Sequence, residues 1–422
     1  MRSTQRLAIL GIAALVACTD APPTAPAVTA SPDLLEEEDG IGVFRRYVAM
    51  GTSISMGWQS DGAVATDQAT AWPRQLAAAA GRNMTYPAIA SSGCRSPLVA
   101  PLATGVRASG EAAGAPGASF QCAPLIPGTE LPARNVAISA ATTRDALVTT
   151  PALQADPFYS KLYPRILPPG ETQLTATLRQ KPRLVSIEFG GNEVLNARSG
   201  IAIPGVTIVP FATWAPQFTQ LVDAIAAKVK RAVVVGLIND VGSFPSFRRG
   251  DELWADRATF LAAFHVTVDA SCDASPNLVF VPVRVPTAVA TGLALRQRGL
   301  PPFVLTCTDG GLGVQDFVLS PAEQGVVNAT LSAMSAHTRQ TAARAGFAYF
   351  DLDALYGRSD LKPPFSVVQL MTSATPYGAY ISLDGIHPNA AGHLVLAQAA
   401  AQALNTTYGL AIPTPTSFTV AP

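Results

Sequence analysis

The chain has 422 residues, with 29 basic and 29 acidic side chains, four histidines and a formal net charge of zero. Charged residues make up only 14% of it, and no local run of Lys or Arg is long enough to follow a phosphate backbone, so nucleic acid is not an expected partner. The abundance of Ala, Gly and Pro suggests a GC-rich bacterial source and long irregular connections, but names no substrate.

The chain opens with a basic stretch, Met1-Arg2-Ser3-Thr4-Gln5-Arg6, followed by an apolar run over 7–17 and then Cys18. This is the pattern of an export signal. Its apolar run is about half the roughly 20 residues that a membrane-spanning helix needs. Leu15-Val16-Ala17-Cys18 resembles the bacterial lipobox, which implies cleavage before Cys18 and a lipid on that cysteine. The expected location is therefore the bacterial cell envelope, with the protein anchored at the periplasmic or cell-surface face and its remainder in water. Residues 18–43 are rich in Pro, Thr and Ala, end in an acidic stretch and read as a flexible linker.

From 44 to 413 the chain reads as one decorated domain, followed by a tail over 414–422. Short β-rich runs alternate with helical ones. The first is 47–50, followed by a helix over 72–80; next come 135–138 and a helix over 142–148, then a strand over 184–189. A helix over 214–229 precedes a strand over 232–238, and the series closes with 324–345, 347–352 and 390–404. Runs that are apolar throughout, such as Ala232-Val233-Val234-Val235-Gly236, fit a sheet covered on both faces, and the alternation fits a parallel α/β sandwich. The stretch 241–320 shows no simple rhythm. With Phe244-Pro245-Ser246-Phe247 and Pro301-Pro302-Phe303 it reads as an insertion near the active face, either forming an acyl-chain groove or a lid, or serving as a disulfide-held decoration.

Besides Cys18, four cysteines remain: Cys94, Cys122, Cys272 and Cys307. An even number in an exported chain predicts two disulfides. Three pairings are possible. The favoured one joins Cys94 to Cys122 and Cys272 to Cys307, because each pair brackets a Gly/Pro-rich loop that a crosslink would restrain. No close Cys/Cys or Cys/His spacing points to a metal site, and neither metal nor cofactor is expected.

In a parallel sheet, ligands sit beyond the carboxyl ends of the strands, where four informative segments fall. Gly51-Thr52-Ser53-Ile54-Ser55 follows the first strand and presents a serine hydroxyl. Asn135-Val136-Ala137-Ile138-Ser139-Ala140-Ala141-Thr142-Thr143 is rich in small residues that let backbone amides approach a ligand. Ile187-Glu188-Phe189-Gly190-Gly191-Asn192-Glu193 runs a strand into an amide side chain able to donate to an oxyanion. Asp384-Gly385-Ile386-His387-Pro388 sets a carboxylate three residues before an imidazole. A serine needs a base to remove its proton and an acid to orient that base.

Together these segments resemble the SGNH/GDSL hydrolase family in order and content, over nearly all of 44–408. The resemblance implies a flavodoxin-like, three-layer αβα sandwich with a central parallel sheet. It also implies ester hydrolysis with Ser53 as nucleophile, His387 as base and Asp384 as its orienting acid. The oxyanion hole would be the backbone N–H groups of Ser53 and Ala140 and the Asn192 side chain. Three positions depart from the family pattern. Thr52 replaces the aspartate before the nucleophile, Ala140 replaces a glycine, and Glu193 replaces the aspartate after Asn192. The substitution at Ala140 matters most, because a methyl group disfavours positive φ.

The expected substrate is a small-molecule or lipid ester and the expected state a monomer. A carbohydrate-ester deacetylase and a non-catalytic surface binding protein stand as the alternatives. His265, His337 and His393 read as structural. Trp58 and Gln59 are read as either pocket lining or packing, and Asp240 as a strand-end residue outside the chemistry.

Overall fold

Five buried residues in each of three strands, most of them apolar, place those strands in the middle of the molecule. The structure is a computed structural model that describes residues 40–113 and 121–416. The stretch read as an export signal, Cys18, most of the expected linker and the end of the tail lie outside the described residues.

The central sheet comprises β1 (Tyr47–Gly51), β2 (Leu184–Glu188), β3 (Ala232–Gly236) and β4 (Ala348–Asp351), all parallel and adjacent in that order. The segment 135–138 extends the sheet beyond β1. Ala49 N donates to Arg134 O at 2.9 Å, Val136 N to Ala49 O at 2.8 Å and Ile138 N to Gly51 O at 3.0 Å. The chain therefore crosses from β1 to one neighbour and returns to β2 on the other side. That reversal is the switch point at which open α/β sheets bind ligands.

Among the helices of the described residues that frame the sheet and its upper edge are α1 (Ser53–Met56), α2 (Trp72–Ala79), α3 (Thr143–Val148), α4 (Asn192–Leu195), α5 (Phe211–Ala226), α6 (Pro321–Ala345) and α7 (Ala390–Tyr408). Helices α2 and α7 pack together on one face, while α3, α5 and α6 cover the other. The result is the mixed α/β sandwich with a central parallel sheet expected from the alternation. The ends of α6 are legible in its sequence. Ser320 and Glu323 cap it reciprocally, Pro321 occupies its first turn and Gly346 closes it at φ 68°. The C-terminal residue of α7, Tyr408, donates its hydroxyl to Ala232 O at 3.0 Å, tying the last helix to the start of β3.

The stretch 241–320 has more order than its sequence pattern suggested. Phe247–Arg249, Leu278–Phe280 and Val318–Leu319 form an antiparallel three-stranded sheet. Val266–Val268 pairs with Phe303–Leu305, and Val281–Gln297 is a helix. The strands are too short to show alternation. The helix begins Val281-Pro282-Val283-Arg284-Val285-Pro286, a β-branched and proline-containing run that reads as strand or coil. Disulfides join Cys94 to Cys122 and Cys272 to Cys307, as expected. Among the described residues no helix is long and apolar enough to cross a membrane.

Candidate active site

The site is assembled from the carboxyl ends of β1 and β2, the end of the 135–138 segment and the loop before α7. Gly51 ends β1 at φ 155°, where an added Cβ would lie 2.8 Å from Glu188 O and 3.0 Å from Ser55 Oγ. Only glycine fits this exit, and the chain turns at once into α1 with Ser53 at its start. Gly385 has the same function in the last loop. At φ 74°, a Cβ there would stand 2.9 Å from the Tyr377 ring and from Ser246 Cβ. The loop is held further by Tyr356 Oη, which donates to Ile386 O at 2.6 Å.

These turns bring Ser53, His387 and Asp384 into one hydrogen-bonded line. The imidazole Nδ1 is 2.8 Å from Asp384 Oδ2, and its Nε2 is 2.9 Å from Ser53 Oγ. With Nδ1–H donated to the carboxylate, Nε2 is left to accept the serine proton. All three side chains are buried. Asp384 Oδ1 accepts from the N–H groups of Ile386 and His387, each at 2.9 Å, and Oδ2 accepts from Asp61 N at 2.7 Å. Burial is the largest single influence on this carboxyl and acts to raise its pKa. The His387 charge, the imidazole bond and the backbone donors together outweigh it and lower the pKa to about 2.

Asp61, whose N–H reaches Asp384, is itself clamped by Arg95 at 3.0 Å and by the buried Arg107 at 2.6 Å. Arg95 is adjacent to Cys94, so the first disulfide loop and Asp384 are mechanically joined.

Ala140 has φ 60°, the left-handed value at which the methyl group costs energy. No hydrogen bond among the described residues engages its N–H or that of Ser53. The Asn192 side-chain amide donates one N–H to Ala141 O at 2.9 Å, leaving the second for a ligand. Glu193 accepts from Thr143 N at 2.7 Å, which fastens the loop carrying Ala140 to the one carrying Asn192.

The sequence reading missed Glu188. Thr52 Oγ1 donates to its Oε1 at 2.7 Å, while Thr52 N and Ser55 N donate to its Oε2 at 3.0 and 3.2 Å. Burial raises its pKa and these bonds oppose that rise. The signal was present in the substitution at position 52, since a carboxylate lost there could be supplied from a neighbouring strand.

Other candidates lie outside the relay. Trp58 packs edge-on against Phe158 with ring centroids 6.1 Å apart, and Gln59 binds Thr70 Oγ1 at 2.9 Å. His337 bonds to Thr219 Oγ1 at 2.9 Å, and Asp240 caps Gly242 at 2.9 Å. His265 closes a helix at φ 57°. His393 does not reach the surface. It is fully buried on α7, and burial first, then the His387 charge, lower its pKa to about 3, so it stays neutral.

Ser53, Asn192 and His387 open onto a cavity with a predominantly apolar wall. Val194, Leu237, Val241, Phe244, Val327 and Leu331 line it, drawn from α4, the end of β3, α6 and the stretch 241–320. The Phe244-Pro245-Ser246-Phe247 segment thus reaches the cavity, whereas Phe303 pairs within the separate two-stranded sheet. Among the described residues no group of three or more His, Cys, Asp or Glu side chains is placed to hold a metal ion.

The profile of the GDSL-like Lipase/Acylhydrolase family matches residues 47–400, a span that includes every segment of this site. The chain belongs to that family. No curated protein sequence matches this GDSL-like acylhydrolase. Similar solved structures include an extracellular lipase from Streptomyces rimosus, at 17% identity and TM-score 0.34, covering 86% of this chain and 98% of that one. An acetyl xylan esterase from Geobacillus stearothermophilus has 14% identity and TM-score 0.32, covering 85% and 93%. The α/β hydrolase LAE5 from the metagenome of Lake Arreo, Spain, has 16% identity and TM-score 0.33, covering 85% and 95%.

Proposed function

We propose that this GDSL-like hydrolase cleaves carboxylic esters of apolar acyl groups through an acyl-enzyme on Ser53. In this reading Ser53 Oγ attacks the carbonyl while His387 Nε2 takes its proton and Asp384 stabilises the resulting imidazolium. The N–H groups of Ser53 and Ala140 and the Asn192 amide receive the charge that builds on the carbonyl oxygen, a contribution of about 10²–10³ in rate per donor. His387 then protonates the leaving alcohol. Water, deprotonated by the same imidazole, releases the acid and restores Ser53.

The observation that carries this reading is the bonded line from Asp384 through His387 to Ser53, ending at an apolar cavity. A wall of aliphatic and aromatic side chains favours burial of a hydrocarbon chain at about 25 cal/mol per Å², so chain length should raise kcat/KM. The same reading has residues 1–17 removed on export, Cys18 lipidated and the hydrolase acting as a monomer at the cell envelope.

A series of p-nitrophenyl esters of rising chain length, run beside acetylated sugars, tests the substrate. Higher kcat/KM for butanoate to octanoate than for acetate is the expected outcome. Preference for acetylated sugars would overturn the acyl assignment, and absence of all turnover would leave only a binding protein.

A further inference from the structure

The edge of the sheet opposite the site is strongly basic. Arg134, Arg46, Arg183 and Arg231 each immediately precede a strand, in the order in which those strands lie side by side. The backbone fixes their adjacency. Arg183 N donates to Arg46 O at 2.9 Å, Val185 N to Arg231 O at 3.2 Å and Ala49 N to Arg134 O at 2.9 Å. The connections at this edge, 42–46, 128–134, 179–183 and 227–231, hold nine basic side chains and a single acidic one, Glu130.

Arg179 ends the helix Gln173–Arg179 and pairs with Glu171 at 2.9 Å, and Lys228 follows the end of α5, both at helix C-termini, which attract cations. That attraction does not account for an arginine at the start of four neighbouring strands. Arg134 feels the crowding, since burial first, and then the Arg46 charge, lower its pKa. Lys181, Lys228 and Lys230 are exposed around the row. No one of these segments is basic enough to draw attention in the sequence. The parallel topology collects them.

The described chain also begins at this edge. Gly40 packs beside Leu410, and the turn Gly42–Arg46 leads directly into β1. A linker from a lipid on Cys18 would join the domain at this edge. We propose that this edge is a docking surface for an anionic phospholipid bilayer, with the active site facing away from the membrane that holds it. The inference rests on the export and anchoring reading given above, and not on catalysis. Charge complementarity favours this occupant, because clustered Lys and Arg beside a membrane anchor bind anionic headgroups in a salt-sensitive way. The four acidic residues at 36–39 would not cancel the excess even if all lay on this edge. Ser53 stands at the other end of β1, so the substrate would be an ester that approaches from the aqueous side, and not a lipid of the supporting bilayer.

The mature chain with Cys18→Ser, which carries no lipid, tests the surface itself. Sedimentation would be compared with vesicles of 30% phosphatidylglycerol in phosphatidylcholine and with pure phosphatidylcholine. At least tenfold stronger binding to the anionic vesicles is expected, lost at 0.5 M NaCl and lost in Lys181→Glu/Lys228→Glu/Lys230→Glu. These exposed positions are remote from Ser53, so the triple variant should keep its ester hydrolysis, which also reports its fold. Equal binding to both vesicle types, undiminished binding by the triple variant, or binding only to a polyanion such as duplex DNA would overturn the proposal. Failure of ester turnover would leave the vesicle result readable, with the thermal unfolding midpoint then reporting the fold of the triple variant.

Discussion

Thr52 and Glu188 form a buried hydroxyl–carboxylate pair beside Ser53, with Thr52 Oγ1 donating to Glu188 Oε1 at 2.7 Å. The family pattern has an aspartate at position 52, and here the carboxylate comes from the end of β2 instead. Glu188 also receives the N–H groups of Thr52 and Ser55, so it shapes the turn that aims Ser53. Removing it strands buried donors, at about 1–3 kcal/mol each. Glu188→Ala should lower both the unfolding midpoint and kcat. Thr52→Asp in that background should recover part of both, while Thr52→Asp alone, which sets two carboxylates together, should be harmful. Stability and kcat of the four proteins in this cycle check the pairing.

Ala140 occupies the left-handed region at φ 60°, where an L-residue costs about 1–2 kcal/mol and glycine costs almost nothing. Part of that gain is offset by the larger entropy of glycine in the unfolded chain. Ala140→Gly should therefore stabilise by about 1 kcal/mol, seen as a higher denaturant midpoint at unchanged slope. Because the N–H already points as the turn dictates, kcat should change less than threefold, on the order of 0.6 kcal/mol.

The Asp384 carboxyl has a folded pKa of about 2, below its ordinary value of 3.8. Its stabilising contribution, about 2 kcal/mol, is fully present above pH 4 and is lost as pH falls toward 2. Asp384→Asn should flatten the stability profile across that window. It should also lower kcat by about 10³–10⁴, because the imidazole loses the partner that holds its tautomer. Denaturant titrations at pH 6 and pH 3, paired with kcat at neutral pH, separate the two effects.

The disulfides close separations of 28 and 35 residues, each constraining the unfolded chain by about 3–4 kcal/mol. Their effects on chemistry should differ. Loss of Cys272–Cys307 should lower stability with little change in kcat, since it braces the insertion. Loss of Cys94–Cys122 should lower kcat as well, because Arg95 and Arg107 in that loop hold Asp61 against Asp384. Paired Cys→Ala variants, assayed for melting temperature and kcat, distinguish them.

Leu331 is buried on α6 and lines the cavity. Leu331→Trp fills part of that volume and should reduce kcat/KM for octanoate at least tenfold relative to acetate. An equal loss on both esters would mean that the acyl chain lies elsewhere.

Much of this was legible because several devices are local. The apolar run at 232–236 and the three-residue spacing of Asp384 and His387 each carry their structure in adjacent residues, whereas the helix expected over 324–345 begins at Pro321, behind a Ser320 cap that the expectation omits. Pairing of the cysteines followed from loops short enough to bracket. What escaped depends on juxtaposition. Glu188 gains its meaning only from parallel pairing with β1, which sets it opposite Gly51. Asp61 acts through a backbone N–H, which no side-chain pattern marks. The strands of the insertion are three residues or fewer, below the length at which alternation can be read. The arginine row likewise comes from four separate connections that only the sheet brings together.

The most direct test of the hydrolase reading is reaction of the purified protein with a fluorophosphonate, with the adduct located by peptide mass spectrometry. A single adduct on Ser53 is expected, absent in Ser53→Ala, with ester turnover falling by at least 10³ in that variant while its thermal unfolding stays intact. An adduct at another residue, or undiminished turnover by Ser53→Ala, would contradict the assignment.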